Sequence, residues 1–305
     1  MSKTFIEQVD ERIASALQSG ALEPIEAESS EVEEAGLRFV LRWVSTLANK
    51  DKDKAEAGAV AASAAVVMPG GPRDPNFNPF KNPDPALTVG PVGEQHVAIL
   101  NKFPVCERHL VLARRVFEEQ LLPLAECDFL AMAQVMSEAG GLGFYNGGAQ
   151  AGASQRHKHV QWIPEAPGNA SLALYLPGLP AAAALHDTAT HPALAMRHCF
   201  VKVDDEQGSA LKADVQAFAH RLFQGFQVAR EALDMQPGAD GLLAPFNLLV
   251  GQGWMLVVPR SMECFEGISV AAINFGGSLY VRQREQLELI RKVGPLKMLA
   301  SVGQA

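Results

Sequence analysis

The sequence predicts an α+β protein, with two related halves around a mainly antiparallel sheet and flanking helices. The first observation is a strand–turn–strand pattern that occurs twice, in residues 98–114 and in residues 246–260. Each copy runs from an apolar strand containing Asn, through a turn, to an apolar strand ending in Arg, and strands joined by tight turns pair antiparallel. The second observation is that two amphipathic helical segments, residues 125–139 and 209–233, stand among these strands. The repeat is faint and does not by itself establish a duplication.

The first half begins with a helix. It is predicted for residues 4–18, because Phe5, Val9 and Ile13 form one apolar stripe and Thr4-x-x-Glu7 fits a capping box. The acidic run of residues 23–34 is interpreted as a solvated face or loop. Residues 37–44 alternate in polarity, which predicts a strand with one apolar face. Residues 50–71 are charged, then alanine-rich, and lead into Pro-Gly-Gly-Pro, so a mobile loop or lid is expected there.

The remaining elements follow from the same patterns. Short strands are predicted at residues 87–89, 95–101 and 109–113, and His109 at the start of the third is interpreted as a structural residue. After the helix of residues 125–139, the second half contains a strand at 197–203, the helix at 209–233 and strands at 246–250 and 254–260. Residues 269–282 are predicted to be irregular, and helices at 283–293 and 295–302 close the chain. Residues 164–192 are rich in Pro, Ala and Gly, so the predicted boundary separates residues 1–165 from residues 166–305.

Bulk properties limit the function. The 305 residues are 48% hydrophobic and 20% charged, with a net charge of −8, which argues against general affinity for nucleic acid. A polyanionic substrate would have to be held by local groups. There is no apolar run long enough to span a bilayer and no signal-peptide pattern, so a cytoplasmic protein without a membrane partner is expected. The four cysteines form no Cys-x-x-Cys pair, which predicts reduced thiols and no structural zinc.

The most informative stretch is residues 145–164. In an extended segment His157, His159 and Gln161 fall on one face, because side chains alternate along a strand. They follow a loop of small residues, 145–154, whose backbone N–H groups can approach an anion closely. A single histidine would be interpreted as a surface or core residue. An anion-binding loop followed by His-x-His-x-Gln instead indicates chemistry at phosphorus.

Imidazole suits such chemistry. It is a compact base with an ordinary pKa of about 6.5, so a neutral ring can attack a phosphorus atom and form a labile phosphoramidate. These arguments do not choose between His157 and His159 as the nucleophile. The amide of Gln161 can donate a hydrogen bond to a phosphate oxygen but cannot supply a proton as an imidazolium can. That favours an acceptor other than water.

Three segments carry a family resemblance. Tyr145-Asn146-Gly147, Gly152-Ala153-Ser154-Gln155 and His157-Lys158-His159-Val160-Gln161 resemble the active-site segment of ATP adenylyltransferases, also called diadenosine tetraphosphate phosphorylases. These enzymes are the transferase branch of the histidine triad superfamily, whose hydrolase branch carries a third His where Gln161 stands. The resemblance implies two histidine-triad-like halves. Residues 1–165 would form the catalytic half, and residues 166–305 an ATP-adenylyltransferase half that completes the nucleotide site.

The resemblance also implies roles for individual residues. His159 would be the nucleophile, His157 would fix the loop and the neighbouring ring, and Gln161 would hold a phosphate oxygen. Lys50 would contact phosphate, with Lys52 and Lys54 as competitors for that position. Gly148 stands where the family pattern has Ser, Arg156 is left without a role, and Lys158 is interpreted as structural or surface. The implied substrate-binding residues are Lys50, Asn146, Gly152, Ala153, Ser154, Gln155, Gln161, Ser269, Asn274 and Arg282.

The implied reaction is the reversible phosphorolysis of diadenosine tetraphosphate to ADP and ATP through an adenylyl-His159 intermediate. Its small-molecule partners would be dinucleoside polyphosphates, ATP, ADP and inorganic phosphate. Mg²⁺ would accompany the nucleotide, and no tightly bound protein metal site is expected. Two alternatives stay open: another nucleotidyltransferase of the same fold with a sugar-phosphate or sulfate acceptor, and a non-catalytic nucleotide sensor.

Overall fold

The computed structural model describes residues 3–44, 78–204 and 214–305. The predicted loop of residues 50–71 lies outside these residues, and so do Lys50, Lys52 and Lys54. Predictions made for them stay predictions.

The described residues form helices and strands that follow the predicted order. The helices are α1 (Phe5–Ser19), α2 (Glu126–Ala139), α3 (Val215–Ala232), α4 (Ala272–Phe275), α5 (Arg284–Val293) and α6 (Pro295–Val302). The strands are β1 (Ala27–Glu34), β2 (Leu37–Val44), β3 (Thr88–Val92), β4 (His96–Leu100), β5 (Leu110–Arg114), β6 (Leu142–Gly147), β7 (His159–Ile163), β8 (Thr188–Ala189), β9 (Cys199–Lys202), β10 (Phe246–Gly251), β11 (Trp254–Pro259), β12 (Cys264–Phe265), β13 (Ile268–Ser269) and β14 (Ser278–Val281).

A nine-stranded antiparallel sheet is the centre of the molecule. Its strand order is β3-β4-β5-β7-β6-β10-β11-β9-β8, so the five strands of this sheet that come from the first half lie on one side and the four from the second half on the other. The two groups meet where β6 pairs with β10, with Asn146 opposite Asn247. The predicted α+β fold around a mainly antiparallel sheet is therefore confirmed. The residue at which one half ends and the next begins stays a prediction.

Hydrophobic cores cover both faces of this sheet. One core packs α1, α2 and α3 against the sheet and includes Val160 and Trp162 of β7. The other core includes Ile163 of β7, together with residues of α4, α6 and the smaller sheet β1-β2-β14. Alternation along β7 thus sends Val160 and Trp162 to one face, and it leaves His159 and Gln161 on the face of Ile163.

Helix α1 shows how local sequence sets an element. The Thr4 hydroxyl accepts a hydrogen bond from the backbone N–H of Glu7, and the Glu7 carboxylate accepts one from the N–H of Thr4. This reciprocal capping box satisfies two N–H groups that a helix start leaves unpaired. Gly20 ends the helix in the left-handed conformation, at φ 72°. The predicted helix is confirmed to within a residue at each end.

Several strands were not predicted from the sequence, among them β1, β6 and β14. Residues 145–147, predicted as the start of the small-residue loop, are the end of β6. Most of the acidic run is β1, an edge strand that pairs with β2 along its length while Glu28, Glu31 and Glu33 point to solvent. Charges on an exposed edge discourage further strand pairing, and the lack of large apolar residues hid the strand. Residues 269–282, predicted to be irregular, contain α4 and β14, which pairs parallel to β2.

Two further predictions concern the start of helix α3 and the role of Lys158. Helix α3 begins at Val215, and Asp214 caps it by accepting a hydrogen bond from the N–H of Ala217. Residues 209–213 of the predicted helix lie outside the described residues. Lys158, for which a structural or a surface role was open, is 1% exposed. Its ammonium group lies 3.1 Å from a Glu118 carboxylate oxygen and 3.0 Å from the carbonyl oxygen of Pro123, so its role is structural.

Candidate active site

His159 is the first residue of β7, which lies between β5 and β6. Its Nδ1 lies 2.8 Å from the carbonyl oxygen of His157. A carbonyl only accepts hydrogen bonds, so Nδ1 carries the proton and donates it. In the neutral ring Nε2 therefore keeps the lone pair that a nucleophile requires. The backbone of residue 157, rather than its side chain, selects this tautomer.

Burial keeps the His159 ring neutral. The residue is 4% exposed. Burial lowers the pKa of His159 to about 4, although the hydrogen bond to the His157 carbonyl acts in the opposite direction. The ring of Phe80 lies over the site, with its centroid 5.0 Å from that of His159 and 5.9 Å from that of His157. At neutral pH the imidazole is therefore uncharged.

His157 joins two segments. Its Nε2 lies 2.8 Å from the carbonyl oxygen of Arg114, and its Nδ1 lies 3.0 Å from Oδ1 of Asn78. The same Asn78 oxygen accepts hydrogen bonds from the N–H groups of Phe80 and Lys81. These contacts join the segment that carries Phe80 to the end of β5, and the orienting role of His157 stays a prediction.

Gln161 contacts a histidine that the sequence did not place in the site. Nε2 of His109 lies 2.9 Å from Oε1 of Gln161. Burial lowers the pKa of His109 to about 4, so the neutral ring donates through Nε2–H to this oxygen. With Oε1 engaged, the NH₂ group of Gln161 is the donor left for a ligand. His109 was interpreted only as the structural start of a strand, and a lone histidine there gave no signal of this contact.

Gln120 is a second residue that sequence patterns missed. Its side chain is 2% exposed and lies between the ends of β6 and β7. It accepts from the backbone N–H of His159 at 2.8 Å, and it donates to the carbonyl oxygens of Asn146 at 2.8 Å and His159 at 3.1 Å. The Gln120 amide thus bonds backbone groups of β6 and β7 next to the imidazole, where the two strands do not pair with each other. Its neighbours in sequence are unremarkable in composition, so only the three-dimensional contact identifies it.

Because residues 145–147 belong to β6, the small-residue loop comprises residues 148–154. Gly148 and Gly152 have φ of 87° and 86°, which favours glycine. A Cβ at Gly148 would lie 2.8 Å from Cδ2 of Leu121, a flexible side chain that can shift, so the positive φ is the main cost of a serine there. Ala153 and Gln155 are half-buried and Ser154 is exposed. Within the part of the chain that the structure describes, the N–H groups of Ser154 and Gln155 have no hydrogen-bond acceptor, as an anion-binding loop requires.

Asn146 is held from the second half. Its Oδ1 accepts from Nδ2 of Asn247 at 2.9 Å and from the N–H of Ala272 at 2.8 Å. It is 5% exposed. The predicted ligand contact of Asn146 would have to come from its Nδ2.

The second-half candidates make local contacts. Ser269 donates to Glu263 at 2.8 Å. Asn274 uses both ends of its amide, accepting from the N–H of Ala271 at 2.6 Å and donating to the carbonyl oxygen of Ser278 at 2.8 Å. The carbonyl oxygen of Arg282 accepts from the indole N–H of Trp43 at 3.2 Å. These bonds favour support of α4 and β14, and a ligand role for the three residues stays a prediction.

Residues 3–44, 78–204 and 214–305 contain no group of three or more His, Cys, Asp or Glu side chains that could hold a metal ion. The same ranges contain no helix whose length and apolarity would let it cross a bilayer.

Comparisons with known proteins cover most of the chain. The family of the Ap4A phosphorylase N-terminal domain matches residues 1–179, and that of the ATP adenylyltransferase C-terminal domain matches residues 192–305. The Saccharomyces cerevisiae protein named diadenosine 5',5'''-P1,P4-tetraphosphate phosphorylase 2 is 28% identical over 240 residues, which span 69% of this chain and 70% of the yeast protein.

Solved structures show the same fold. The crystal structure of yeast Ap4A phosphorylase Apa2 with AMP aligns at a TM-score of 0.76 and 20% identity, over 99% of this chain and 97% of that one. The structure of Apa2 with Ap4A aligns at 0.72 and 20% identity, over 99% and 98% of the two chains. The resemblance drawn from the His-x-His-x-Gln segment is confirmed, and the chain belongs to the family defined by the Ap4A phosphorylase N-terminal domain, here followed by an ATP adenylyltransferase C-terminal domain.

Proposed function

We propose that this protein is a nucleotidyltransferase that phosphorolyses diadenosine tetraphosphate to ADP and ATP, reversibly, through an adenylyl group on His159. The observation that carries the proposal is the 2.8 Å hydrogen bond from Nδ1 of His159 to the His157 carbonyl, because it leaves Nε2 as a free base. The yeast relative is named for this activity, and Apa2 is known in complex with Ap4A and with AMP.

In the first step Nε2 of His159 attacks the α-phosphorus of one adenylate. An N–P bond forms, the P–O bond to the β-phosphate breaks, and ATP leaves with the electron pair. The leaving oxygen belongs to a polyphosphate and is a weak base, so little general-acid help is needed. The neutral ring supplies the lone pair at pH 7 because burial holds its pKa near 4.

In the second step an oxygen of inorganic phosphate attacks the same phosphorus. The N–P bond breaks, ADP leaves, and the electron pair returns to Nε2 of His159. Because Oε1 of Gln161 accepts from His109, its NH₂ group is the end available to a phosphate oxygen in both steps. An amide donor stabilises charge without delivering a proton to the leaving group, and this suits a phosphate acceptor.

Mg²⁺ would bind with the nucleotide. The side chains around His159 are imidazole, amide and aromatic groups, whereas Mg²⁺ prefers carboxylate and phosphate oxygens. When bound, the ion would neutralise charge on the polyphosphate. The four free cysteines support a reducing compartment, and we place the enzyme in the cytoplasm.

The test mixes the protein with diadenosine tetraphosphate and radiolabelled inorganic phosphate. Label should enter ADP, with ATP formed in equal amount, and His159→Gln should remove the labelled product. Release of AMP would identify a hydrolase, and transfer only to sulfate or a sugar phosphate would identify another transferase. Binding of nucleotide without turnover would identify the protein as a non-catalytic nucleotide sensor.

A further inference from the structure

We propose that Asn247, in the second half, is a positioning residue for adenylyl transfer: it holds the small-residue loop and aims Asn146 at the substrate. The inference rests on the proposed function and adds to it, because it gives the second half a defined part in the first half's chemistry. Asn247 lies on β10, opposite Asn146 on β6, at the seam between the two groups of strands.

The amide nitrogen of Asn247 uses both of its hydrogens. It donates to Oδ1 of Asn146 at 2.9 Å and to the carbonyl oxygen of Ala151 at 2.8 Å. Asn247 is 0% exposed, so water cannot replace either bond. The side chain therefore fixes one strand residue and one loop residue of the first half at the same time.

Arg260 sets the orientation of the Asn247 amide. Its Nη1 donates to Oδ1 of Asn247 and, at 2.8 Å, to the carbonyl oxygen of Val270. The guanidinium is 1% exposed, and its other donors reach the carbonyl oxygens of Val302 at 3.1 Å and Met262 at 2.8 Å. A guanidinium only donates, so the Asn247 oxygen must face it and the NH₂ group must face the loop.

This arrangement determines the direction of the Asn146 NH₂ group and the position of the loop N–H groups. Oδ1 of Asn146 receives hydrogen bonds from Asn247 and from the N–H of Ala272, both in the second half. Its own NH₂ group is consequently turned to the opposite side. The residue after Ala151 is Gly152, where a Cβ would lie 3.0 Å from both Cα and Cβ of Ala271, so the second half also contacts the loop directly.

The loop N–H groups that could bind phosphate lie close to this anchor. Ser154 and Gln155 follow Ala151 by three and four residues. The N–H of Ala153, the residue before Ser154, already donates to the carbonyl oxygen of Gly148 at 3.0 Å. A shift of the Ala151 carbonyl would move the whole turn. Misplacement of a binding group by about 1 Å can cost roughly 100-fold in rate, so loss of the anchor should appear in kcat.

The test compares Asn247→Asp with Asn169→Asp. The carboxylate at position 247 has the size of the amide and can still accept from Arg260, but it donates no hydrogen bond to Asn146 or Ala151. The control removes the same kind of bond elsewhere, because Nδ2 of Asn169 donates to the carbonyl oxygen of Pro164 at 2.9 Å. Thermal unfolding of both variants accounts for any general loss of stability.

We expect Asn247→Asp to lower kcat for labelled ADP formation by about 10- to 100-fold, while Asn169→Asp changes it less than twofold. Hydrogen exchange of backbone amides in residues 148–154 should speed up in the first variant and not in the control. If Asn247→Asp does not fold, Asn247→Ser keeps one donor and should give a smaller loss in kcat with the same local change in exchange.

Wild-type kcat and unchanged loop exchange in a folded position-247 variant would overturn the inference. So would a loss of activity that merely follows the fall in melting temperature, as in the control. If the wild-type protein forms no ADP, the proposed function fails, and the exchange measurement still decides whether Asn247 holds the loop.

Discussion

At the residue scale, we predict separable roles for His157 and His159. The residue pattern left open which of them is the nucleophile, and the family resemblance implied His159. The bond that prepares His159 comes from the backbone carbonyl of residue 157, so it survives a change of the 157 side chain. We expect His159→Gln to abolish the covalent adenylyl-enzyme. His157→Gln should lower kcat by about 10-fold, because it loosens the Asn78 segment but leaves the base in place.

The measurement is covalent labelling of the denatured protein after incubation with ATP labelled in the α-phosphate. The His157→Gln protein should still take up about one label per chain at long times. If the His159→Gln protein is labelled and the His157→Gln protein is not, the assignment of the nucleophile is reversed.

Burial lowers the pKa of His159 to about 4, and the ring of Phe80 packs against the imidazole, so we expect Phe80 to contribute to that burial. Because the unprotonated ring is the active form, adenylylation should stay fast down to about pH 5 in the wild type. Phe80→Ala lets water reach the ring, so the pKa should rise toward its ordinary value of about 6.5. The rate of label uptake should then fall between pH 7 and pH 5.

Phe223→Ala is the matched control for this profile. It removes a half-buried phenyl ring from α3, where Phe223 packs against Phe129 and not against the histidines. Its pH profile should coincide with that of the wild type. An acid limb at the same pH in all three proteins would show that Phe80 does not set the pKa of the nucleophile.

At the element scale, the loop between β6 and β7 depends on the conformation of Gly152. Alanine there meets two costs: φ of 86°, and a Cβ 3.0 Å from Ala271. Gly241→Ala is the control, since Gly241 has φ of 77° but no atom within 4 Å of the added Cβ. Both changes should lower the free energy of unfolding by about 1 kcal/mol or more. Only Gly152→Ala should also lower kcat/KM, by 10-fold or more.

Urea unfolding and steady-state kinetics on the two variants check this expectation. Equal catalytic losses in both would mean that backbone strain alone, and not the contact with the second half, limits the reaction. Normal catalysis in Gly152→Ala would mean that the loop tolerates displacement.

The success of prediction from sequence also differed between elements, for physical reasons. Helix α1 and strand β2 carry their own periodic apolar patterns, and both were predicted nearly to the residue. Strand β1 has almost no large apolar residues and is held by pairing with β2, so its pattern resembled a solvated run. Strand β14 is four residues long, follows Gly276-Gly277 and pairs parallel with β2, a contact that no local pattern encodes.

The candidate site shows the same division. Spacing alone placed His157, His159 and Gln161 together, because they lie on one short stretch of chain. His109 and Gln120 join them through hydrogen bonds from other segments, at 2.9 Å to Gln161 and 2.8 Å to the backbone of His159. Such contacts depend on tertiary structure, so a single sequence did not reveal them.

At the scale of the whole molecule, the sheet buries neutral histidines, and this affects stability in acid. Burial lowers the pKa of His109 and of His159 to about 4. Burial also lowers the pKa of His191 and His198 in the second half. In the unfolded chain each ring titrates near its ordinary value of about 6.5. Between these two values the unfolded chain binds protons that the folded protein does not.

The free energy of unfolding should therefore be highest above about pH 6.5 and fall as the pH drops toward 4. For His109 and His159 together the slope should approach about 2.7 kcal/mol per pH unit, the value for two protons. Urea unfolding at pH 7.5 and pH 5 measures it. His109→Gln should remove about half of this contribution, because glutamine does not titrate. If the variant shows the same pH dependence as the wild type, the pKa of His109 is not lowered in the folded protein.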